Sequence, residues 1–188
     1  MKKLFICLIL LNVTILSAQA TIIPIGAGPI HKEPIPKKSD NKFPSVKGMN
    51  LEGYIKFLPR DFEAKKNIVI VAFKRKQQED VDTWIKALDP VIEGNSEIAL
   101  YELPVLEKFN FLNRLTINNG MRYGIPNKKA RERTICLYLD KESFKKTLAI
   151  EGEEQIIVFL LDNQGVIKSS FLGTANSTSV NRLKEFLK

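Results

Sequence analysis

Cysteine and histidine are nearly missing from this chain: 188 residues carry two of the first and one of the second. Cys7 and Cys136 are far apart and no CxxC pair exists, so the paired-thiol motif of disulfide exchange is excluded. His31 stands alone among prolines, which leaves a histidine-based triad or a His-rich metal centre without its parts. Glycine is sparse as well. Gly26 and Gly28 have the wrong spacing for a phosphate loop, with no strand before them and no helix after. The 29 Lys and Arg residues are offset by 21 Asp and Glu, and no aromatic platform or recognised motif accompanies them, which argues against nucleic-acid binding. No residue pattern calls for a cofactor.

What is present begins with an address. Lys2 and Lys3 precede an apolar run over residues 4–11, a mixed stretch follows, and Ala18-Gln19-Ala20 supplies a cleavage pattern. A spanning helix needs about 20 apolar residues, and this run is shorter and broken by Asn12 and Thr14. Residues 1–20 are therefore expected to be a signal peptide of the compact kind that suits a bacterial exported protein, with an uncleaved anchor as the alternative. The product would be periplasmic or secreted, free or held peripherally at a membrane. Without Lys2 and Lys3 the mature chain keeps 27 basic and 21 acidic residues, a formal charge of +6. It also keeps a single cysteine, so packing rather than an internal disulfide must stabilise it. Residues 21–49 hold five of the nine prolines, interleaved with lysines, and are expected to form an extended, flexible tether.

The remainder, residues 50–188, is expected to be one domain that alternates strand and helix. The continuous apolar run 68–73 suits a strand covered on both faces. Val81, Trp84, Ile85 and Leu88 then fall on one helical face, a helix that Asp89-Pro90 is expected to end. A strand over 98–103, ended by Pro104, leads to a helix around Phe109, Leu112 and Leu115, stopped by Asn118-Asn119-Gly120. Phe111 falls off that stripe and is expected to meet a neighbouring element or a partner. Residues 134–139 form a third strand in which Cys136 reads as a buried, inert thiol. A short helix over 142–148 is capped by Asp140, and two strands over 156–161 and 166–172 are joined by the turn Asp162-Asn163-Gln164-Gly165. A last helix buries Val180, Leu183 and Leu187. Five strands with interspersed helices imply an α/β three-layer sandwich with a central five-stranded sheet.

Residues 67–88 resemble the central strand and active-site helix of a thioredoxin-like fold. Residues 135–187 resemble the rest of its peroxiredoxin-type version, with an inserted strand and helix. A narrower likeness rests on Tyr101-Glu102-Leu103-Pro104, on Ile117-Asn118-Asn119-Gly120-Met121-Arg122-Tyr123-Gly124-Ile125-Pro126, on the run from Arg131-Glu132-Arg133 to Asp140-Lys141, and on the terminal turn. These resemble bacterial uncharacterised thioredoxin-like proteins related to the mitochondrial ATP synthase assembly factor ATP10. The resemblance implies a mixed sheet and a non-redox protein that helps a protein client in the cell envelope to fold or assemble. The position of the catalytic cysteine holds Lys74-Arg75-Lys76-Gln77-Gln78, and Glu153-Glu154-Gln155 lacks the cis-proline that such a site implies. An atypical thiol-dependent oxidoreductase or peroxiredoxin-like enzyme is the alternative.

Two groups of residues are candidates for contact. Arg122, Tyr123, Arg131 and Arg133 either engage a client or close a crossover through internal ion pairs, and Gly120 and Gly124 suggest a shaped loop there. Lys74, Arg75 and Lys76 sit where a strand meets a helix, as an anion-binding corner or as a solvated helix start. Oligomeric state is not legible.

Overall fold

The computed structural model describes residues 41–188. The leader, Cys7, His31 and all but the end of the proline-rich segment lie outside them.

Among the described residues, seven strands form one mixed sheet: β1 (Val46–Asn50), β2 (Ile55–Leu58), β3 (Lys66–Ala72), β4 (Ile98–Leu106), β5 (Ile135–Tyr138), β6 (Ile157–Asp162) and β7 (Ile167–Leu172). Their order is β2-β1-β5-β4-β3-β6-β7, so the five expected strands are neighbours and the β1–β2 hairpin extends the sheet beyond β5. β3, β4 and β5 run parallel, while β6 pairs antiparallel to β3 with Ile68 opposite Leu160. The boundary expected at residue 50 falls at the end of β1. Residues 43–49 already belong to the folded unit: Phe43 is buried, and its N–H donates to the Gly165 carbonyl across 2.8 Å.

The helices are α1 (Gln78–Ile92), α2 (Phe111–Gly124), α3 (Lys128–Arg133), α4 (Lys141–Thr147) and α5 (Ser177–Phe186). Strand alternation splits the core in two. Ile68 and Ile70 meet Val81, Trp84 and Leu88 of α1 and Val180 and Leu183 of α5 on one face. Val69 and Val71 meet Phe43, Phe62 and Phe144 of α4 on the other. Trp84 is fully buried, and its Nε1–H donates to the Gly173 carbonyl at 2.8 Å, so the stripe read from the sequence is core. Asp140 and Asn176 cap α4 and α5 through the backbone N–H groups of Ser143 and Ser179.

Three breakers do not break. Pro90 lies inside α1; it lacks an N–H to reach back one turn, yet Glu93 N–H donates to Asp89 O and the helix closes two residues later. Pro104 lies inside β4 at the last pair with β3, opposite Ala72, where the strand passes to β5 and a missing donor costs little. Asn118-Asn119-Gly120 sits within α2, which runs on to Gly124, so the shaped loop expected between the two glycines is helix. No helix of the described residues is long and apolar enough to cross a membrane.

Candidate functional site

The corner between β3 and α1 is where the sequence resemblance implies thiol chemistry. Phe73 and Lys74 leave the strand, Arg75–Gln77 make one tight 3-10 turn, and α1 follows. Gln77 is 1% exposed. Its Oε1 accepts the N–H groups of Phe73 at 2.8 Å and Lys74 at 3.0 Å, and its Nε2 donates to the Glu153 carbonyl at 2.9 Å. Both ends of the amide are thus satisfied, and one side chain fastens the corner to the segment that enters β6. That segment faces the corner with carboxylates. Lys74 pairs with Glu154, and Lys76 reaches the same group at 3.7 Å. The ammonium of Lys74 holds the Glu154 carboxyl below its ordinary value. Glu153 is pushed up by burial, but Lys145 and Lys141 outweigh this and hold it low. Of the three expected anion-binding residues, Lys74 and Lys76 are therefore engaged with an internal carboxylate and Arg75 is exposed. Glu79 and Asp80 in the first turn of α1 add negative charge near the same end.

Cys136 is nowhere near this corner. It lies on β5, two strands from β3, a separation of about 10 Å across the sheet. The residue is fully buried between Ile135 and Leu137, with Sγ 3.7 Å from Met121 Sδ. Burial pushes its thiol up to about 12, so at neutral pH it is protonated and a poor nucleophile. Among the described residues, no three His, Cys, Asp or Glu side chains gather as a metal would require.

The second candidate is divided by the structure. Arg131 pairs with Glu52 through Nε and gives NH1 to the carbonyls of Ile125 at 3.0 Å and Pro126 at 2.7 Å. Arg133 reaches Glu102 at 3.3 Å and Asp89 of α1 at 3.4 Å. These two guanidiniums close the crossover from α2 to β5. Arg122 is half-exposed, with NH2 3.6 Å from Glu52, and Tyr123 is 90% exposed. The Arg131 hydrogen bond holds the Glu52 carboxyl below its ordinary value. Burial pushes Glu102 up, against the pull of Arg133.

Sequence reasoning missed the acceptors. Glu52 joins Arg122 and Arg131 across the β1–β2 turn. Buried Asn50 shapes that turn by accepting from Glu52 N and Tyr54 N, while its Nδ2 donates to the Glu132 carbonyl. The one sequence signal is Asn50-Leu51-Glu52-Gly53, where Gly53 takes φ +91°.

No protein-family model matches the chain, and no curated protein does. Solved structures do. The thioredoxin domain of a thiol-disulfide oxidoreductase from Bacteroides vulgatus is 15% identical, with 81% of this chain and 99% of that one covered at a TM-score of 0.56. A thiol:disulfide interchange protein from Bacteroides sp. is 16% identical, covering 79% and 90% at 0.54. BsSco, a member of the Sco family of cytochrome c oxidase assembly proteins, is 11% identical, covering 78% and 95% at 0.53. At these identities the likeness is one of fold, and the chain has the mixed α/β thioredoxin-like fold.

Proposed function

We propose that this chain is a non-redox member of the thioredoxin-like group that binds a protein client in the cell envelope and assists its assembly. One observation carries the reading: the strand–helix corner holds Gln77, fastened by three hydrogen bonds, where an exchange enzyme needs an exposed thiolate. The buried, protonated Cys136 cannot substitute for it without unfolding β5. The resemblance read from the sequence, to proteins related to the mitochondrial ATP synthase assembly factor, supports an assembly role. So does the Sco-family neighbour, since that family is named for assembly of cytochrome c oxidase. The leader supports export, which makes an envelope protein the client class. Of the four expected contact residues, Tyr123 and Arg122 are the ones open to a partner, and an exposed tyrosine beside an arginine is a common anchor pair.

Crosslinking of the full-length chain in its native envelope tests this. A reproducible protein partner that is lost in Tyr123→Ala and weakened in Arg122→Ala, with the unfolding midpoint unchanged, is the expected result. A partner retained at full strength in both variants would move the contact away from α2. Insulin-disulfide reduction by the chain that is abolished in Cys136→Ser would overturn the non-redox reading in favour of a thiol enzyme.

A further inference from the structure

α2 is laid on the sheet the wrong way round for a core helix. None of its residues is buried. The side chains turned to the sheet are Arg114, Ile117, Asn118 and Met121, all partly buried. Arg114 lies over the Tyr138 ring at 5.2 Å, Asn118 accepts the Tyr138 hydroxyl at 2.8 Å, and Met121 touches Cys136. Those positions recur at helical spacing and define the inner face. Phe111, Leu112 and Leu115 fall to one side of it and face water; the first two are 72% and 70% exposed. The 14-residue helix therefore sets a mixed face inward and leaves Phe111, Leu112 and Leu115 outside it in water.

The charge along this stretch is predominantly positive. From Glu107 to Glu132 the chain carries Lys108, Arg114, Arg122, Lys128, Lys129 and Arg131, against one acid at each end. Glu52 and Glu132 offset part of this by pairing with Arg122, Arg131 and Lys128, and Glu107 lies 3.6 Å from Lys141. Lys108 and Lys129 are both exposed beyond those pairs. A helix of about 21 Å with Phe and Leu exposed near its N-terminal end and Lys108 just before it has the chemistry of a helix that lies in a lipid interface. It is far too short and too polar to span one.

We infer that α2 docks this protein on an anionic membrane surface, inserting Phe111, Leu112 and Leu115 among the acyl chains while Lys108 meets the headgroups. The stripe lies about 16 Å along the helix from Tyr123, so lipid at one end leaves the other open.

Flotation of the full-length chain with phosphatidylcholine vesicles, with and without about one quarter phosphatidylglycerol, is the test. The comparison is with Phe111→Ser/Leu112→Ser, which shares the same leader, so any pull of residues 1–20 is common to both. Partition onto the anionic vesicles is expected to fall by at least about tenfold in the double variant. A Lys108→Gln variant should show a reduced preference for anionic over neutral vesicles. Leu112→Trp should show a blue-shifted emission on vesicle addition, against the constant signal of buried Trp84. Circular dichroism and an unchanged unfolding midpoint establish that the variants fold. Equal flotation of wild type and double variant would overturn the inference, as would a photocrosslinker at position 112 that captures a soluble protein and no lipid.

Discussion

α1 and α2 lie on the same face of one sheet, and they use their apolar residues in opposite ways. α1 buries Val81, Trp84 and Leu88 against β3, β4 and α5, and its N-terminal corner is fastened by Gln77. α2 buries nothing, rests on Arg114, Asn118 and Met121, and turns Phe111, Leu112 and Leu115 to solvent. The first helix is consumed by the fold. The second is available to something outside it. In this chain the corner of the first helix is closed by Gln77, while Phe111, Leu112 and Tyr123 of the second stay open to solvent.

The sharpest way to break this contrast is to cut into the helix that should matter for stability. Trp84→Ala removes the largest buried side chain of α1, its ring contact with Phe171 and its hydrogen bond to Gly173, and should cost about 3–5 kcal/mol. Denaturant unfolding followed by circular dichroism measures it. A loss below about 1 kcal/mol would mean that α1 is no more integral than α2.

Next in size is the corner. Gln77→Leu fills a similar volume but leaves the N–H groups of Phe73 and Lys74 and the Glu153 carbonyl without their partner, at about 1–3 kcal/mol. Hydrogen exchange should show the Phe73 and Lys74 amides losing protection while those of β5 keep theirs. Unchanged protection at both would mean that Gln77 does not fasten the corner.

A smaller effect belongs to the tie that holds the C-terminal end of α2. Glu52 has a folded-state value below its ordinary 4.5, because Arg131 hydrogen-bonds the ionised form. Its contribution to stability is therefore fully present above 4.5 and fades as the pH falls through the lowered folded value. The difference in unfolding midpoint between wild type and Glu52→Gln should be largest at neutral pH and shrink toward zero in acid. A difference that grew in acid would have the wrong sign. The least effect is expected from Leu112→Ser: a change of at most about 0.5 kcal/mol, since the side chain is already in water. A large destabilisation there would make α2 part of the core after all.

The contrast also marks what a reader of the sequence could see. β3 and the Trp84 stripe were legible because their apolar period is local and unbroken, and the lack of CxxC needed no structure at all. The β1–β2 hairpin was hidden: Val46–Asn50 is short, contains Gly48, and gains its place by pairing with β5 more than eighty residues on. Gly48 is needed there, since a Cβ would approach an Ile135 methyl at 2.6 Å. Pro90, Pro104 and Asn118-Asn119-Gly120 were read as stops by local chemistry, and packing carried the elements through each of them. The site follows the same rule. Arg122, Tyr123, Arg131 and Arg133 stood out by type, but their division into two structural and two open groups depends on Glu52, Glu102 and Asp89, all distant in the chain. Gln77 was passed over because an amide gives no signal until its partners, one of them 76 residues away, are known.

If this thioredoxin-like scaffold works without thiol chemistry, buried Cys136 must be inert in the native protein. Labelling of Cys136 by a thiol reagent, in full-length Cys7→Ser protein at neutral pH, should proceed only through unfolding, slower than in denaturant by a factor of about 1,000 or more. Rapid, stoichiometric labelling of the native protein, with a rate that plateaus below pH 8, would reveal an accessible thiolate and contradict the account.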